Sequence, residues 1–425
     1  MSIRRHLLLL LLAVLLPLIP LDVAASAERA GIHEKAAVNL YDPKADIDFT
    51  AIDPSVDPGM DPVFTTDPRL NQTDTYAYRE TKPGDHQLPK GVGTVRYDLK
   101  GREPLAQIIA GMRSDLSACT GLAIYLANGS ELDAADLATI QTLNRPVADG
   151  GLNLTGIDTL CIYNLKSLAG GVETTEATIN GAFMWSNGWQ RSAYKHLVLD
   201  DLEEVKDGTF CENHFVSISL RAARTIGVMA FGGSRNSHPP LAELYLPSAI
   251  TIKAHAFRRN RNLLTVHLPK VTSIDAYGFD DCFGLQYVNA PEVRTLGRNA
   301  FNDNGSMISF NLPKLESAGV ACWGFPGTLR VLRLPSLVKG YDLGTMETIH
   351  FLYLPVLKSV DALMIPKALR ALYAPKVEQV GKAAFAHCQE LRRINLPSGA
   401  SVSPDAFAGL KNIEVIVRGK RLPIP

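Results

Sequence analysis

The chain has 425 residues, of which 46% are hydrophobic, and its 43 Lys and Arg residues balance its 43 Asp and Glu residues at a net charge of zero. This balance excludes the broad positive field that draws proteins to nucleic acid or to anionic membranes, so we expect no nucleic-acid partner. A partner must therefore be recognised by local shape and chemistry.

Residues 1–27 have the layout of a secretory signal peptide. Basic residues at the start precede an apolar run from Leu7 to Leu21, and Ala25 and Ala27 form a small-residue cleavage pattern. The run is shorter than the ~20 residues that a membrane-spanning helix needs. We therefore predict cleavage after Ala27, no stable membrane insertion afterwards, and export to the periplasm, the cell surface or the medium.

Residues 28–91 are rich in Asp, Pro and Thr and contain five Asp-Pro dipeptides. Such a composition buries too little apolar area to offset the entropy of ordering, which predicts a disordered tether. A calcium-binding segment is the alternative, but the carboxylates lack the ligand spacing and central Gly of a calcium loop.

Residues 92–156 have the pattern of a small α+β cap for the region that follows. The predicted elements are, in order, a strand over 92–99, a helix over 105–116, a strand over 122–127 and a helix to about Leu143 that opens with a Ser130-x-x-Asp133 capping box. A cap is expected because the end of a repeat array exposes an apolar face. A small independent domain is the alternative.

Residues 157–418 repeat one apolar pattern, mostly in steps of 20 to 26 residues. The segments LAELYLPSAITIKAHAFRRNRN (241–262) and LLTVHLPKVTSIDAYGFDDCFG (263–284) superimpose, with a proline at position 6 and a small residue before Phe at positions 15 and 16, counted from 0. This period and its L-x-x-L-x-L core predict an α/β solenoid, a right-handed leucine-rich coil whose units each add one strand to a parallel concave sheet. Proline ends each strand and Phe fills the convex side. We predict that residues 419–425 form a C-terminal tail.

The repeat also resembles a known family. Units such as LRALYAPKVEQVGKAAFAHCQE (369–390) resemble the BspA-like class of leucine-rich repeats, and the resemblance covers about 260 residues. Thr345 and Ile365 depart from it, since they stand where Phe is expected. The resemblance implies an exported or surface-displayed protein that binds other macromolecules, and it implies no catalytic residues.

The cysteines and histidines show no pattern of a catalytic or metal site. Cys282 and Cys388 occupy the same repeat position five strands apart, which is too far for a disulfide, so we interpret them as small buried residues. Cys119 and Cys161 could form a disulfide. The 10 histidines show no metal-binding spacing, and no nucleophile or phosphate-loop motif is present, so we predict no metal, no cofactor and no enzymatic activity.

Strand alternation places positions 2 and 4 of every repeat on the concave face, which is the expected binding surface. Val331 belongs to an aromatic and cationic patch on this face, and a long insertion in the first repeat carries two tryptophans that either bind a ligand or fold back on the cap. The predicted ligand-binding residues are Arg333, Phe351, Tyr353, Tyr373, Tyr287, Tyr245, Trp185 and Trp189.

These patterns favour a non-enzymatic, exported recognition module that binds a protein or another macromolecule on its concave face, as an adhesin or a scaffold does. An enzyme with a site in the cap, and repeats that recognise its substrate, is one alternative. A structural component of the cell envelope is the other.

Overall fold

The structure is a computed structural model, and it describes residues 91–98, 103–127, 132–168, 194–233, 239–324, 329–338, 348–361, 365–391, 393–397, 399–410, 414–417 and 420–422. The predicted signal peptide and almost all of the predicted tether lie outside these residues. None of the described helices is both long and apolar enough to cross a membrane.

The repeats form a solenoid of parallel strands, as predicted. In most units a three-residue strand carries its middle side chain into the core, while its neighbours on either side face the concave surface. A two-residue strand follows about six residues later and forms a second layer of parallel sheet. The apolar pattern of each repeat therefore places its two strands in the same two sheet layers from unit to unit.

The concave strands form three sheets. One contains β1 (Val92–Tyr97), β2 (Gly121–Leu126), β3 (Thr159–Tyr163), β4 (His196–Val198) and β6 (Ser217–Ser219). The second contains β8 (Glu243–Tyr245), β10 (Thr265–His267), β12 (Tyr287–Asn289) and β14 (Ser309–Asn311). The third contains β16 (Val331–Arg333), β17 (Phe351–Tyr353), β19 (Ala371–Tyr373), β21 (Arg393–Leu396), β23 (Glu414–Val417) and β24 (Lys420–Leu422). The final strand, β24, lies in the predicted tail and pairs antiparallel with β23.

The second layer consists of two sheets of short parallel strands. Six strands form the first of these sheets: β5 (Glu204–Val205), β7 (Thr225–Ile226), β9 (Thr251–Ile252), β11 (Ser273–Ile274), β13 (Thr295–Leu296) and β15 (Ser317–Ala318). Three form the other: β18 (Ser359–Val360), β20 (Gln379–Val380) and β22 (Ser401–Val402).

The N-terminal segment extends the first concave sheet. Its helices are α1 (Leu105–Gly111), α2 (Arg113–Leu116) and α3 (Ala134–Thr142), followed by a 3-10 turn over Val147–Asp149. β1 pairs with β2 and β2 with β3, all in parallel, so the cap shares its backbone hydrogen bonds with the first repeat.

The capping box of α3 begins at Asp133, three residues later than the Ser130 pattern indicated. The Asp133 carboxylate accepts a hydrogen bond from the Asp136 backbone N–H at 2.8 Å, and the Asp136 carboxylate accepts one from the Asp133 N–H at 3.2 Å. A carboxylate caps a helix as well as a hydroxyl does and also matches the positive end of the helix dipole. The first turn therefore starts where both groups can be satisfied.

A ladder of stacked phenylalanines fills the core at position 16. Neighbouring rings lie 5.1 to 5.3 Å apart at interplanar angles of 3° to 21°. The ladder comprises Phe210, Phe231, Phe257, Phe279 and Phe301, all of which are fully buried. Trp323 and Ile365 take the same position in later units and are also buried, so these departures from the pattern keep the core intact. Thr345 lies outside the described residues.

Position 19 holds a buried hydrogen-bond donor to the phenylalanine backbone. The Cys282 thiol donates to the Phe257 carbonyl at 3.1 Å, and Asn304 Nδ2 donates to the Phe279 carbonyl at 3.1 Å. All six cysteines are free thiols, so the possible disulfide between Cys119 and Cys161 is not formed. The interpretation of Cys282 and Cys388 as small buried residues is consistent with their full burial.

Candidate functional site

Three neighbouring strands bring the predicted aromatic and cationic residues of the C-terminal half together. Arg333 of β16 lies opposite Tyr353 of β17, which lies opposite Tyr373 of β19. In the same register, Phe351 of β17 lies between its counterparts on β16 and β19, Val331 and Ala371. The site therefore consists of two parallel rows, which we call the Tyr353 row and the Phe351 row.

The two tyrosines of the Tyr353 row stack on each other. Their ring centroids are 4.9 Å apart and the planes differ by 3°. Tyr353 is only 9% exposed, whereas Tyr373 is half-buried and Arg333 is exposed. Alternation alone assigned both rings to the concave face. Strands in exact register stack equivalent rings face to face, and this stacking leaves Tyr353 less accessible than its place on that face suggests.

The Tyr353 hydroxyl is protonated at neutral pH, as that of a tyrosine with an ordinary pKa also is. Burial raises the pKa of Tyr353 above its usual value, the neighbouring Tyr373 raises it further, and the positive charge of Arg333 opposes both effects. A hydroxyl with a raised pKa remains protonated at neutral pH and donates. Together with the Arg333 guanidinium, the row offers donors to an acceptor-rich partner.

Basic side chains stand at the starts of the same strands. Burial lowers the pKa of His350, and the charges of Arg370 and Arg330 lower it further. Arg370 is paired with Glu390 at 2.9 Å. The His350 ring also meets the Phe351 ring edge to face, with centroids 6.4 Å apart. Beside the aromatic patch, His350 therefore favours its neutral form, and the Arg370 charge is balanced by Glu390.

Tyr245 and Tyr287 lie on the concave face but in the central sheet. The Tyr245 ring packs against the His267 ring at a centroid distance of 5.2 Å. Tyr287 is 5% exposed, and β14 lies between its strand and β16 along the chain. The structure therefore does not bring these two tyrosines into the Tyr353 row.

A polar ladder on the central sheet went unrecognised in the sequence. Asn311 Nδ2 donates to Asn289 Oδ1 at 2.9 Å, and Asn289 Nδ2 pairs with His267 Nδ1 at 2.9 Å. The signal was present, since these residues occupy position 4 in successive units at a spacing of 22. Because these side chains are hydrogen-bonded to one another, the polar groups used in those bonds are not available to a ligand.

The repeat region matches a family model. The model describes the BspA type leucine rich repeat region, and six copies of it match residues 236–341 and 368–422. Within the matched residues, the repeats are of the BspA type. No curated protein matches the chain.

Solved structures of leucine-rich repeat proteins are distant from this chain. A leucine-rich repeat protein from Bacteroides ovatus is 13% identical, over 71% of this chain and 86% of its own, with a TM-score of 0.32. A leucine rich cell surface protein from Faecalibacterium prausnitzii is 15% identical, over 71% and 80%, with a TM-score of 0.24. An internalin from Listeria monocytogenes is 13% identical, over 77% and 86%, with a TM-score of 0.24. At these scores, no argument about the binding site of this chain follows from them.

The remaining predicted site residues, Trp185 and Trp189, lie outside the described residues. Among the residues that the structure does describe, no group of three or more His, Cys, Asp or Glu side chains could hold a metal ion. The described geometry therefore offers one group of neighbouring predicted residues, and that group is the Tyr353 row with the adjoining Phe351 row.

Proposed function

We propose that this protein is an exported, non-enzymatic recognition module that binds a protein or another macromolecule through the concave face of its C-terminal repeats. The observation that carries this proposal is the alignment of Arg333, Tyr353 and Tyr373 on three strands in register. Tyrosine and arginine are enriched among residues that contribute most to binding energy. The signal-peptide pattern of residues 1–27 supports export.

The site suits recognition because its members are held rigidly before any ligand arrives. Leu332, Leu352 and Leu372 alternate with the site residues and are fully buried or nearly so, which anchors each strand in the core. A preformed surface loses little conformational entropy on binding, so its contacts convert more fully into affinity. The BspA-type repeats thus supply the scaffold, and variable positions 2 and 4 supply the specificity.

The test compares binding partners of the purified protein with those of three variants. Tyr353→Ala with Tyr373→Ala removes both rings, Arg333→Gln removes the exposed charge without touching the packing, and Arg113→Gln is the control on α2. We expect a captured ligand to bind the double variant more weakly by more than ~2 kcal/mol and to bind Arg113→Gln normally. Urea unfolding of each variant checks that the repeats remain folded.

Two results contradict the proposal. In the first, both the double variant and Arg333→Gln retain every partner at full affinity. In the second, changes at Trp185 and Trp189 abolish binding that the concave variants leave intact, which assigns the site to the insertion.

A further inference from the structure

The cap end of the concave face repeats the arrangement of the Tyr353 row. Arg96 of β1 lies opposite Tyr125 of β2, which lies opposite Tyr163 of β3. The two tyrosine rings stack with centroids 4.8 Å apart and an interplanar angle of 27°. The order of residues across the strands, Arg then Tyr then Tyr, is the same as in Arg333, Tyr353 and Tyr373. We call this second group the Tyr125 row.

The Tyr125 row lies on the concave side of the sheet rather than in the core. Tyr163 belongs to a small apolar cluster with Ala123, Cys161 and Val198 that is separate from the main core, and Tyr125 packs against that cluster. Tyr163 is 1% exposed, Tyr125 is half-buried and Arg96 is exposed. Burial therefore decreases from Tyr163 to Arg96. The Tyr353 row likewise has an exposed arginine and a buried tyrosine.

In the part of the chain that the structure describes, both rows present a guanidinium that forms no ion pair with a carboxylate. Arg258 and Arg294 each pair with an acidic side chain of the next repeat. Across the residues that the structure describes, neither Arg96 nor Arg333 makes such an ion pair. Each instead acts electrostatically on its tyrosine neighbour: burial raises the pKa of Tyr125, and the charge of Arg96 opposes that effect. The two charges are thus available on the binding face.

A cavity opens beside the Tyr125 row. It has a volume of about 360 Å³ and is lined by Arg96, Tyr97, Asp98, Tyr125, Leu126 and Ala127. These residues stand at the carboxyl ends of β1 and β2, where open parallel sheets commonly bind ligands. Tyr97 and Leu126 are 3% and 1% exposed, so the accessible lining consists of a cation, an anion, the Tyr125 ring and Ala127. Such a lining can receive a segment with both donors and acceptors.

We propose that the Tyr125 row and its cavity form a second binding site, which takes a carboxylate-bearing peptide segment. The Arg96 guanidinium matches a carboxylate, which it can bind with two parallel hydrogen bonds. The Asp98 carboxylate can accept a hydrogen bond from a peptide N–H, and Ala127 can contact the aliphatic part of the segment, whereas Leu126 is 1% exposed and belongs to the core. By the same chemistry, the Tyr353 row takes a peptide of the same kind, and this extension rests on the proposed function.

The chemistry disfavours polyanions and sugars at this site. Nucleic acids and sulfated polymers need several cations in a line, whereas the row has one arginine, and Asp98 repels a chain of anions that brings no donors. Sugars stack on open aromatic faces, but Tyr125 is already stacked on Tyr163. A peptide with acidic side chains is the ligand that uses both the Arg96 charge and the Asp98 carboxylate.

The test uses a fluorescent ten-residue peptide of alternating Glu and Gly, and the same peptide with Gln in place of Glu. We expect the Glu peptide to bind the protein at two sites and the Gln peptide to bind far more weakly. Arg96→Gln should remove one site, Arg333→Gln the other, and the double variant both, with affinity at each altered site falling about ten-fold or more. Arg113→Gln is the matched control, since it removes an exposed arginine away from the concave face.

Each result bears on one of the two proposals. If Arg96→Gln binds the Glu peptide as Arg113→Gln does, the Tyr125 site is wrong, whatever happens at Arg333. If Arg96→Gln loses a site while Arg333→Gln does not, the Tyr125 site stands and the assignment of an acidic peptide to the Tyr353 row is wrong. The proposed function of the Tyr353 row is tested separately, by the captured partners of the variants described above. Absence of Glu-peptide binding, or displacement of the peptide by dextran sulfate at equal charge concentration, also overturns the proposal.

Discussion

Two aromatic ladders in this protein have the same construction but lie on opposite faces of the strand layer. In the core, Phe257, Phe279 and Phe301 stack at 5.1 to 5.3 Å, and all three are fully buried. On the concave face, Tyr353 and Tyr373 stack at 4.9 Å, with Tyr373 half-buried. The comparison teaches that register alone produces the stacking, whereas the face decides whether the rings stabilise the fold or remain available to a ligand.

The largest difference between the two ladders should appear in stability. Phe279→Ala leaves a cavity between two stacked neighbours and should lower the free energy of unfolding by ~3–5 kcal/mol. Tyr373→Ala, the matched change on the concave face, should lower it by only ~1–2 kcal/mol, because the ring is partly solvated and gives up mainly its stacking contact. Urea unfolding measures both, and equal shifts in the midpoint would mean that the core and concave faces have been interchanged.

A third stack, on the flank of the phenylalanine ladder, should make stability depend on pH. His255 is 6% exposed, stacks on Tyr277 at 4.7 Å, and has its pKa lowered to about 4 by burial and by the charges of Arg258 and Arg259. The folded state thus disfavours the charged imidazole. The contribution of neutral His255 to the free energy of unfolding is therefore fully present above pH ~6.5 and is lost as the pH falls through about 4. The loss should reach ~3 kcal/mol at most.

His255→Asn provides the control for this pH dependence. His255 has a left-handed φ of 57°, and Asn299, two repeats later at the same repeat position, has a φ of 56°, so asparagine suits the backbone there. Between pH 7 and pH 4, the free energy of unfolding should change less in this variant than in the unaltered protein. If the two pH profiles coincide, His255 is not the group that titrates.

The smallest effect is expected at the exposed ion pairs that join neighbouring repeats. Arg294 pairs with Glu316 of the next unit, and both side chains are about half exposed. Solvent screens such a pair, so Arg294→Gln should lower the free energy of unfolding by only ~0.2–1 kcal/mol. The same urea experiment in high salt should narrow that difference further. A loss as large as that of Phe279→Ala would show that flank pairing, rather than the aromatic core, holds the repeats together.

The sequence by itself determined the architecture of the repeats. The apolar positions recur at almost constant spacing, so every unit repeats the same local evidence for a strand, a turn and a buried Phe. This redundancy also identified positions 2 and 4 as the concave face, and hence the neighbourhood of Arg333, Tyr353 and Tyr373. The hydrogen-bonded ladder through Asn289 was within reach of the same spacing but needed the side-chain contacts to be recognised.

Only the tertiary structure decided which side chains on the concave face remain accessible. Alternation assigns Tyr353 to a face but cannot say that its neighbours stack on it and leave 9% of it exposed. The Tyr125 row is a stronger case, because Arg96, Tyr125 and Tyr163 are separated by 29 and 38 residues and follow no repeat period. Their alignment depends on how the two helical connections of the cap pack against the sheet, and that packing sets a register that no local pattern encodes.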